Sequence, residues 1–586
     1  MQFVCQKCSD PFEIHEDEEA FLSKIGFTFG RTTVHPPLPV YCPDCRLKIR
    51  TCHRNERFMY RRKSTLSGKE IVSLIHDEPL WGKTYTVCSS EEWNADANDF
   101  CAYGREFDFS RPFFEQFADL HKAVPRMALT VVSNENSDFT TGTGYCRNCY
   151  LINSSEYCED CYYGKLIQSC KNSVDCSYLY DSELCYECFS VYSSYNCSHL
   201  SFSRNCRDCS FSTHLVGCSN CCLCSNLRQK EYHFQNEPLS KAEYERRVRE
   251  LRGSWVKTVE MKKMLQEVRR KMVYRASNIV QSEHCTGDFI ENSRSCLDCY
   301  DVNESQDCRY VTVGVKVKDN YDCSNMYIKP ELCYETMGTI EVYSVAYCIY
   351  VFHSQNLLYC QYCYNCKDCF GCDGLKRKQY CILNKQYTKE EYEELVPKII
   401  EHMRNDGSGG APNQSRSDGS GQAMSRGEAS GSWGRFFPAT LSPYGYNESL
   451  ANEYMPLTKK EALSQGFYWR TVEEKKPVVT KTIGAADLPD RIGDIPDDVL
   501  NWAIVCEVTG RPFRIIRQEL DFYRRQEIPL PRAHPDERYD ARLRLRNPRK
   551  LWTRLCMKCG KEIQTSYSPE RSEKVYCEEC YLAEVY

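Results

Sequence analysis

Two pairs of cysteines near the end of the chain have the spacing of a metal site. Cys556 and Cys559 form one C-x2-C motif, and Cys577 and Cys580 form another after 17 intervening residues. Four thiolates at this spacing close a tetrahedral zinc site and leave no open position for chemistry. Because so short a segment holds too little apolar surface to fold by itself, we predict a structural zinc ribbon here.

The same arrangement occurs near the beginning of the chain. Cys5 and Cys8 are paired with Cys42 and Cys45 across 33 intervening residues, which carry the apolar side chains of a small core. We predict a second zinc ribbon at this end. The predicted cofactor is therefore zinc, with these eight cysteines as its ligands.

A third segment, residues 506–550, repeats the first ribbon with different ligands. Four positions correspond: Cys506, Thr509, His534 and Glu537 replace Cys5, Cys8, Cys42 and Cys45. Threonine is a poor zinc ligand. We therefore predict a degenerate ribbon that kept the fold and lost the metal.

The ribbon segments resemble a known family. The residues around Cys5, Cys8, Pro39 and the segment from Cys42 to Arg46 resemble the probable zinc-ribbon domain of many uncharacterised bacterial proteins. The stretch 512–580 is similar to the tails of large uncharacterised cysteine-rich proteins from bacteria with small genomes. The resemblance implies the ribbon fold and the metal, and it implies no established activity.

Arginines follow a knuckle of the first ribbon and of the degenerate ribbon. Residues 46–63 carry a local charge of +7, and residues 532–554 carry +5. The planar guanidinium fork suits phosphate well. The matched positions predict contacts to RNA or DNA from six side chains: Arg46, Arg50, Arg54, Arg538, Arg542 and Arg546. The alternative is that these charges only form solvated faces.

A long internal repeat occupies the middle of the chain. Residues 221–245 recur in type and spacing 148 positions later, at 369–393. Within the first copy, Cys149, Cys158 and Cys161 recur after 27 residues and again after 21 more. Units of 21 to 27 residues with little helical periodicity predict the coils of a parallel β-solenoid with cysteines stacked in ladders. S/T-x-x-E capping boxes at Ser240 and Thr388 predict a helix at the end of each copy.

The repeat cysteines and tyrosines leave alternatives open. Five cysteines follow one another at every third residue from Cys360 to Cys372, which would suit an iron–sulfur cluster or further zinc. A second candidate for further zinc is the group from Cys218 to Cys224. Stacked reduced thiols in the core are the simpler expectation. The abundant tyrosines would stack on nucleic-acid bases or simply pack along the coils.

Composition limits the class of protein. The 586 residues include 40 cysteines and carry a formal net charge of −5, so the chain is neither a polycation nor an acidic disordered chain. The first residues lack a secretory signal and no run of 18 apolar residues occurs, so we expect a cytoplasmic protein without a membrane partner. Since no P-loop, dinucleotide fingerprint, zincin or nucleophile-elbow motif occurs, we expect no enzymatic activity.

These features predict a multidomain, β-rich protein in which two parallel β-solenoid modules with helical caps are flanked by zinc ribbons. The predicted segments are a zinc ribbon (1–60), an α/β segment of unclear fold (61–134), modules at 135–275 and 285–404, a Gly/Ser linker (405–432), a connecting segment (433–505), the degenerate ribbon (506–550) and a zinc ribbon (551–586). The predicted function is non-catalytic binding of nucleic acid or a ribonucleoprotein through the ribbons. The alternative is a protein–protein interaction scaffold with purely structural zinc, in which the solenoid contacts other proteins, and a metal-dependent redox protein ranks third.

Overall fold

The computed structural model describes residues 1–408, 431–471 and 479–585, and the chain forms two units. The first unit comprises Met1–Ala128, Ser277–Arg470 and Pro548–Leu551, and the second comprises Leu129–Ala276, Thr471–Asn547 and Trp552–Tyr586. The first unit thus joins the N-terminal ribbon to the second repeat copy. The second unit joins the first repeat copy to the other two ribbon segments. Most of the predicted linker, residues 409–430, lies outside the described residues.

Each unit contains one large sheet that is almost entirely parallel. In the first unit its strands are Ile279–Val280, Gly287–Glu291, Arg294–Leu297, Cys299–Asn303, Gln306–Arg309, Thr312–Val315, Lys318–Tyr327, Glu331–Ile340, Tyr343–Ala346, Gln355–Leu358, Lys367–Phe370, Gln379–Ile382 and Lys385–Gln386. In the second unit they are Val131–Val132, Thr141–Gly144, Asn153–Glu156, Lys165–Gln168, Ser177–Tyr180, Phe189–Tyr192, Ser198–Arg204, Ser210–Thr213, Ser219–Cys222, Glu231–Phe234 and Glu237–Pro238. A short ladder of Glu159–Tyr162 and Lys171–Val174 accompanies the second.

Smaller elements complete the first unit. Its hairpins are Gln2–Val4 with Pro11–Glu13, Phe27–Phe29 with Thr32–Val34, and Tyr60–Lys63 with Glu70–Ser73, and Val87–Cys88 pairs with Arg126–Met127. Its helices are Glu16–Lys24, Pro43–Thr51, Ser90–Asn94, Phe113–Ala123, Lys389–Asn405, Leu450–Tyr454 and Lys459–Ser464, with 3-10 turns at Phe100–Tyr103, Ala439–Leu441 and Tyr446–Glu448.

The second unit carries a similar set. Its strands outside the large sheet are Val273–Arg275 with Lys574–Tyr576, Trp552–Leu555 with Glu562–Thr565, and the sheet of Lys481–Gly484, Trp502–Val505 and Pro512–Phe513. Its helices are Lys241–Arg249, Trp255–Lys271, Arg517–Arg525, Pro535–Leu543 and Glu578–Val585, with 3-10 turns at Ala485–Asp487, Ile492–Asp494 and Asp497–Asn501. The β-rich, multidomain architecture predicted from the sequence is confirmed.

A helix follows each large sheet at the position that the capping boxes predict. The hydroxyl of Ser240 accepts the backbone N–H of Glu243 at 3.3 Å, and that of Thr388 accepts the N–H of Glu391 at 3.2 Å. These contacts satisfy amides that the first helical turn leaves unpaired. Both predicted helix starts are therefore confirmed.

Successive strands of both large sheets pair at a short and nearly constant offset along the chain. Asn153 pairs with Lys165 in the second unit, and a hydrogen bond from the N–H of Ile167 to Ser155 Oγ spans the same 12 residues. The same offset holds in the first unit and in isolated parallel bridges outside the named strands. The spacing of 21 to 27 residues that the cysteine steps predict is therefore wrong for the paired strands, because hydrogen-bonded parallel neighbours lie 12 residues apart.

Left-handed backbone at nearly every third residue explains why the cysteine steps misled. In one run the φ angles are 51° at Leu151, 50° at Ser154 and 54° at Tyr157. The residues that follow these three are all buried: Ile152, Ser155 and Cys158. The structural unit is thus a triplet with one inward side chain. Steps of 27 and 21 are multiples of three, so they kept the cysteines inward without marking a turn.

The inward thiols are buried core residues whose sulfurs lie within hydrogen-bonding distance of backbone carbonyls. Cys158 Sγ donates to the carbonyl of Ile167 at 3.3 Å, and Cys366 Sγ donates to that of Leu375 at 3.4 Å, each nine residues ahead. Burial raises the pKa of Cys323 to about 12. A buried thiol with a carbonyl acceptor packs as a small apolar residue, which agrees with the expectation of stacked thiols in the core.

Replacing one of these thiols is expected to cost stability without releasing metal. For Cys176→Ser or Cys197→Ser we expect a loss of about 1–3 kcal/mol in the free energy of unfolding, because a polar hydroxyl takes a fully buried place. Urea unfolding and elemental analysis of zinc measure both quantities. Loss of one zinc equivalent from either variant would show that these thiols are metal ligands.

Candidate metal centres and the ribbon arginines

The four N-terminal cysteines converge at one point of the first unit. Cys5 and Cys8 lie in the turn that follows the strand Gln2–Val4, and Cys42 is the N-cap of the helix that carries Cys45. All four sulfurs lie within 4.8 Å of one another, and Cys8 Sγ lies 3.6 Å from Cys42 Sγ. Zn–S bonds of ~2.3 Å in a tetrahedron put sulfurs about 3.8 Å apart, so this set fits zinc.

The four C-terminal cysteines form an equivalent cluster in the second unit. Cys556 and Cys559 lie in the turn after Trp552–Leu555, and Cys577 directly precedes the last helix. The sulfurs of Cys559 and Cys577 are 3.7 Å apart, and all four ligand atoms again lie within 4.8 Å of one another. The structure thus brings together all eight predicted ligands as two sets, each able to hold a metal ion.

Backbone amides favour the thiolate form that a metal requires. The N–H of Cys577 donates to Cys556 Sγ at 3.2 Å. Although burial opposes ionisation, donation from the amides of Cys559 and Cys577 lowers the pKa of Cys556 to about 6. The thiolate is the metal ligand, so this turn is prepared for metal before one binds.

The degenerate ribbon has the same knuckle turn as the two cysteine sets. Its Cys506 N–H donates to the Arg511 carbonyl at 2.9 Å, as Cys5 does to Asp10 and Cys556 to Lys561. Cys506 Sγ accepts the N–H of His534 at 3.2 Å, and His534 Nδ1 accepts the N–H of Asp536 at 3.1 Å. Cys506 and His534 therefore accept hydrogen bonds from backbone amides, and His534 caps the helix Pro535–Leu543.

Residues 1–408, 431–471 and 479–585 contain no other cluster of candidate metal ligands of this kind. Among the described residues, the two cysteine sets are the groups in which three or more ligand atoms lie within 4.8 Å of one another. Neither the string from Cys360 to Cys372 nor the group from Cys218 to Cys224 forms such a group. The arrangement does not support an iron–sulfur cluster or further zinc in the repeat copies.

The arginines behind the first ribbon are buried against the second repeat copy. Arg46 Nη2 lies 2.8 Å from Asp322 Oδ2, and the same guanidinium lies 3.4 Å from Glu18 Oε1. Arg50 Nε donates to Ser324 Oγ at 3.3 Å. Arg54 Nε donates to Glu56 Oε1 at 2.5 Å. All three arginines are at most 5% exposed.

The degenerate ribbon docks on the first repeat copy in the same way. Arg538 donates to Asp175, and Arg542 Nη1 donates to the other Asp175 oxygen at 3.0 Å. Arg538 Nη2 lies 3.4 Å from Glu519 Oε1. Arg546 stacks at 4.7 Å over the ring of Tyr178. The side chains of Arg538 and Arg542 are at most 4% exposed.

These positions bear on the predicted nucleic-acid contacts. Five of the six arginines, namely Arg46, Arg50, Arg54, Arg538 and Arg542, are buried and paired with carboxylates of their own unit. In this arrangement they do not reach a phosphate backbone. Nucleic-acid binding itself stays a prediction, without these side chains to carry it.

The residues that sequence reasoning missed are the carboxylates under the ribbons. Asp175 and Asp322 are each fully buried and begin the same tripeptide, Asp-Cys-Ser, 147 positions apart. Tyr163 and Tyr310 share that offset, and each ring lies about 5 Å from the arginine it faces, Arg538 or Arg46. Extending the repeat alignment to this region was the available signal.

Glu335 gives the first unit a pH-dependent stability. Burial and the neighbouring Asp322 charge raise the pKa of Glu335 to about 7, although Arg50 and Arg46 oppose this. The unfolded value is near 4.3. The stability contributed by the protonated carboxyl is therefore present below the unfolded pKa and is lost as pH rises through about 7.

Glu335→Gln is expected to gain stability relative to the wild type as pH rises. The variant should match the wild type near pH 4 and exceed it at pH 8 by about 3 kcal/mol, because the amide has no charge to bury as pH rises. Urea unfolding at both pH values measures the difference in stability between the variant and the wild type. Both proteins have the same metal ligands, so the effect of pH on those ligands cancels in this difference. Exposed Glu304→Gln, in the same repeat copy and the same left-handed conformation, is the control. Equal pH profiles for both variants would contradict the assignment.

Comparisons with known proteins supply no identity. No family model matches the chain, and no curated protein matches it. One solved structure with some similarity is that of a Desulfovibrio desulfuricans G20 protein whose name calls it an acetyltransferase. The two sequences are 9% identical, the match covers 46% of this chain and 75% of that chain, and the TM-score is 0.11. A likeness at this level carries no argument about fold or activity.

A membrane span finds no support in the helices. Within the part of the chain that the structure describes, no helix combines the length and the apolar character that crossing a bilayer requires.

Proposed function

We propose that this protein is a zinc-binding, non-catalytic scaffold for protein–protein interaction. Each large sheet is one wall of a β-solenoid with a coil of 12 residues, and each solenoid carries a docked ribbon. Two ribbons hold zinc with purely structural roles, as the resemblance to bacterial zinc-ribbon proteins implies. The third keeps the ribbon turn and docks through arginines alone.

The observation that carries this proposal is the repeated docking of ribbon on repeat copy. Arg46 and Arg50 meet Asp322 in the first unit, and Arg538 and Arg542 meet Asp175 in the second. Buried ion pairs of this kind fix how elements fit together. Because these arginines are buried in ion pairs within their own unit, they are not accessible to phosphate. This favours a scaffold function rather than nucleic-acid binding, since a phosphate contact needs accessible cations.

The zinc count tests the metal-binding part of the proposal. Elemental mass spectrometry of the purified full chain is expected to find about two zinc ions per molecule, because two complete cysteine sets exist. Cys506→Ser should leave this number unchanged. Stoichiometric iron, or no metal, would contradict the proposal.

Filter binding with generic RNA and DNA separates the scaffold from a nucleic-acid binder. At low salt we expect no measurable binding of either nucleic acid. A nucleic-acid binder would instead bind at low salt, and the logarithm of its affinity would fall linearly with the logarithm of the salt concentration. Strong binding of that kind, with a slope of several charges, would restore nucleic acid as the first candidate and would point to cations other than the buried five.

A further inference from the structure

A cavity of about 480 Å³ lies in the second unit beside the docked degenerate ribbon, and no predicted zinc ligand lines it. Strand Ser198–Arg204, helix Trp255–Lys271 and the degenerate ribbon border it. Its volume lies in the usual range for small-ligand sites, roughly 300–1,000 Å³. Trp255, Val259 and Pro531 give it an apolar wall.

The charges that line this cavity are mostly positive and partly unpaired. Of seven basic and three acidic lining residues, Arg538 and Arg542 are paired with Asp175 and Glu519 behind the wall, and Lys262 pairs with Glu187 at 2.8 Å. Four cations remain against Glu507 and Glu537: Lys263, Arg269, Arg532 and Arg544. The remaining balance of +2 matches one dianion.

Two of these guanidiniums are withdrawn from solvent without a carboxylate partner. Arg269 Nη2 donates to Ser201 Oγ at 3.1 Å, and Arg532 donates to the carbonyls of Ala486 and Leu488 at 3.2 and 3.0 Å. Among the described residues, neither has a carboxylate oxygen within 4 Å. Burial lowers the pKa of both. Arg269 is half-buried and Arg532 is 9% exposed, and a cation withdrawn from water in this way gains from a nearby anion.

A polar ring with unused hydrogen-bonding capacity also lines the cavity. The His199 side chain is 8% exposed, and its Nε2 lies 3.3 Å from Glu187 Oε2. Within the described part of the chain, neither ring nitrogen makes a hydrogen bond. The ring stacks on Phe211 with centroids 4.2 Å apart, which fixes its orientation. Burial lowers the pKa of His199 to about 3, so the neutral ring offers one donor and one acceptor.

The geometry points to a binding site for a small organic phosphate of nucleotide size. Its phosphate would meet Arg269, with Lys263 and Arg544 at the rim, because guanidinium forks pair with phosphate oxygens in two parallel bonds. Its planar or apolar part would lie against Val259 and Pro531, beside the Trp255 ring that Arg532 faces at 5.2 Å, and His199 would bond a hydroxyl or ring nitrogen. This site is independent of the scaffold proposal, since it uses no zinc ligand.

Calorimetric titration of the zinc-loaded full chain with AMP, adenosine and inorganic phosphate tests the site. We expect AMP to bind at least about tenfold more tightly than either fragment, and Arg269→Met to weaken AMP by at least about tenfold. Arg270→Met is the matched control, because Arg270 is the next residue, points to solvent and pairs with Glu267. Its affinity for AMP should equal that of the wild type.

Several outcomes would overturn the site. No AMP binding by the wild type at millimolar concentration, or equal losses in Arg269→Met and Arg270→Met, would remove it. If Arg269→Met lowers the melting temperature or the zinc content, the exposed rim variants Lys263→Ala and Arg544→Ala decide instead. Each should weaken AMP by about threefold or more, and unchanged affinity in both would exclude phosphate from the cavity.

Discussion

Replacing Cys577 with serine is expected to release one of two zinc ions and to unfold the C-terminal ribbon. The core of this ribbon comprises few apolar side chains, among them Ile563, Tyr567 and Val575. Structural zinc contributes about 10–16 kcal/mol to such small domains, which their apolar burial cannot replace. Zinc per chain and amide hydrogen exchange across Trp552–Leu555 and Glu562–Thr565 measure the two effects.

The control and the contrary outcome for this change are well defined. Cys506→Ser alters a cysteine in the same turn geometry, and we expect it to keep both zinc ions. Amides of the large sheets should stay protected in Cys577→Ser, because their hydrogen bonds do not involve the ribbon. Full protection of the ribbon strands after zinc loss would show that the ribbon folds without metal.

Replacing Asp175 with asparagine is expected to cost about 3–5 kcal/mol and to undock the degenerate ribbon. The change removes the carboxylate partner of Arg542 and the closer of the two carboxylate partners of Arg538, and leaves buried positive charge uncompensated. Asparagine keeps the shape and tolerates the left-handed backbone of this position, whose φ is 55°. Urea unfolding and hydrogen exchange of the helix Pro535–Leu543 measure the loss.

A compensating variant distinguishes charge from shape at this site. Asp175→Asn combined with Arg538→Met and Arg542→Met should recover much of the lost stability, since well-packed apolar groups replace buried ion pairs at little cost. Exposed Glu231→Ala in the same repeat copy should change stability by less than about 0.5 kcal/mol. Failure of the triple variant to recover would mean that Asp175 acts through packing.

The metal centres were predictable because zinc imposes a local spacing. A C-x2-C turn places two sulfurs on one ion whatever surrounds it, so Cys5, Cys8, Cys556 and Cys559 could be assigned from the sequence. The second pair of each set follows from the same rule. The cap contacts at Ser240 and Thr388 were predictable for a similar reason, since both depend on neighbours within three residues.

The 12-residue offset between paired strands and the arginine sites were not predictable in this way. Residues such as Leu151 and Tyr157 rarely adopt the left-handed backbone conformation that they have here. Hydrogen bonds between the parallel strands hold them in it, and these bonds cannot be read from local sequence. A run of arginines is exposed in most sequences, and the partners of Arg46 and Arg542 lie hundreds of positions away. Local pattern carries no information about such distant partners.

The distance between docking partners also sets an order of events during synthesis. Within a repeat copy each strand pairs with a neighbour 12 residues on, so the sheet can grow strand by strand as the chain leaves the ribosome. Arg50 and Ser324 are 274 residues apart, which at about 5–20 residues per second is a delay of tens of seconds. Throughout that interval the N-terminal ribbon exposes cations meant for burial. Early zinc binding would keep the N-terminal ribbon folded until the second repeat copy, on which it docks, has been synthesised.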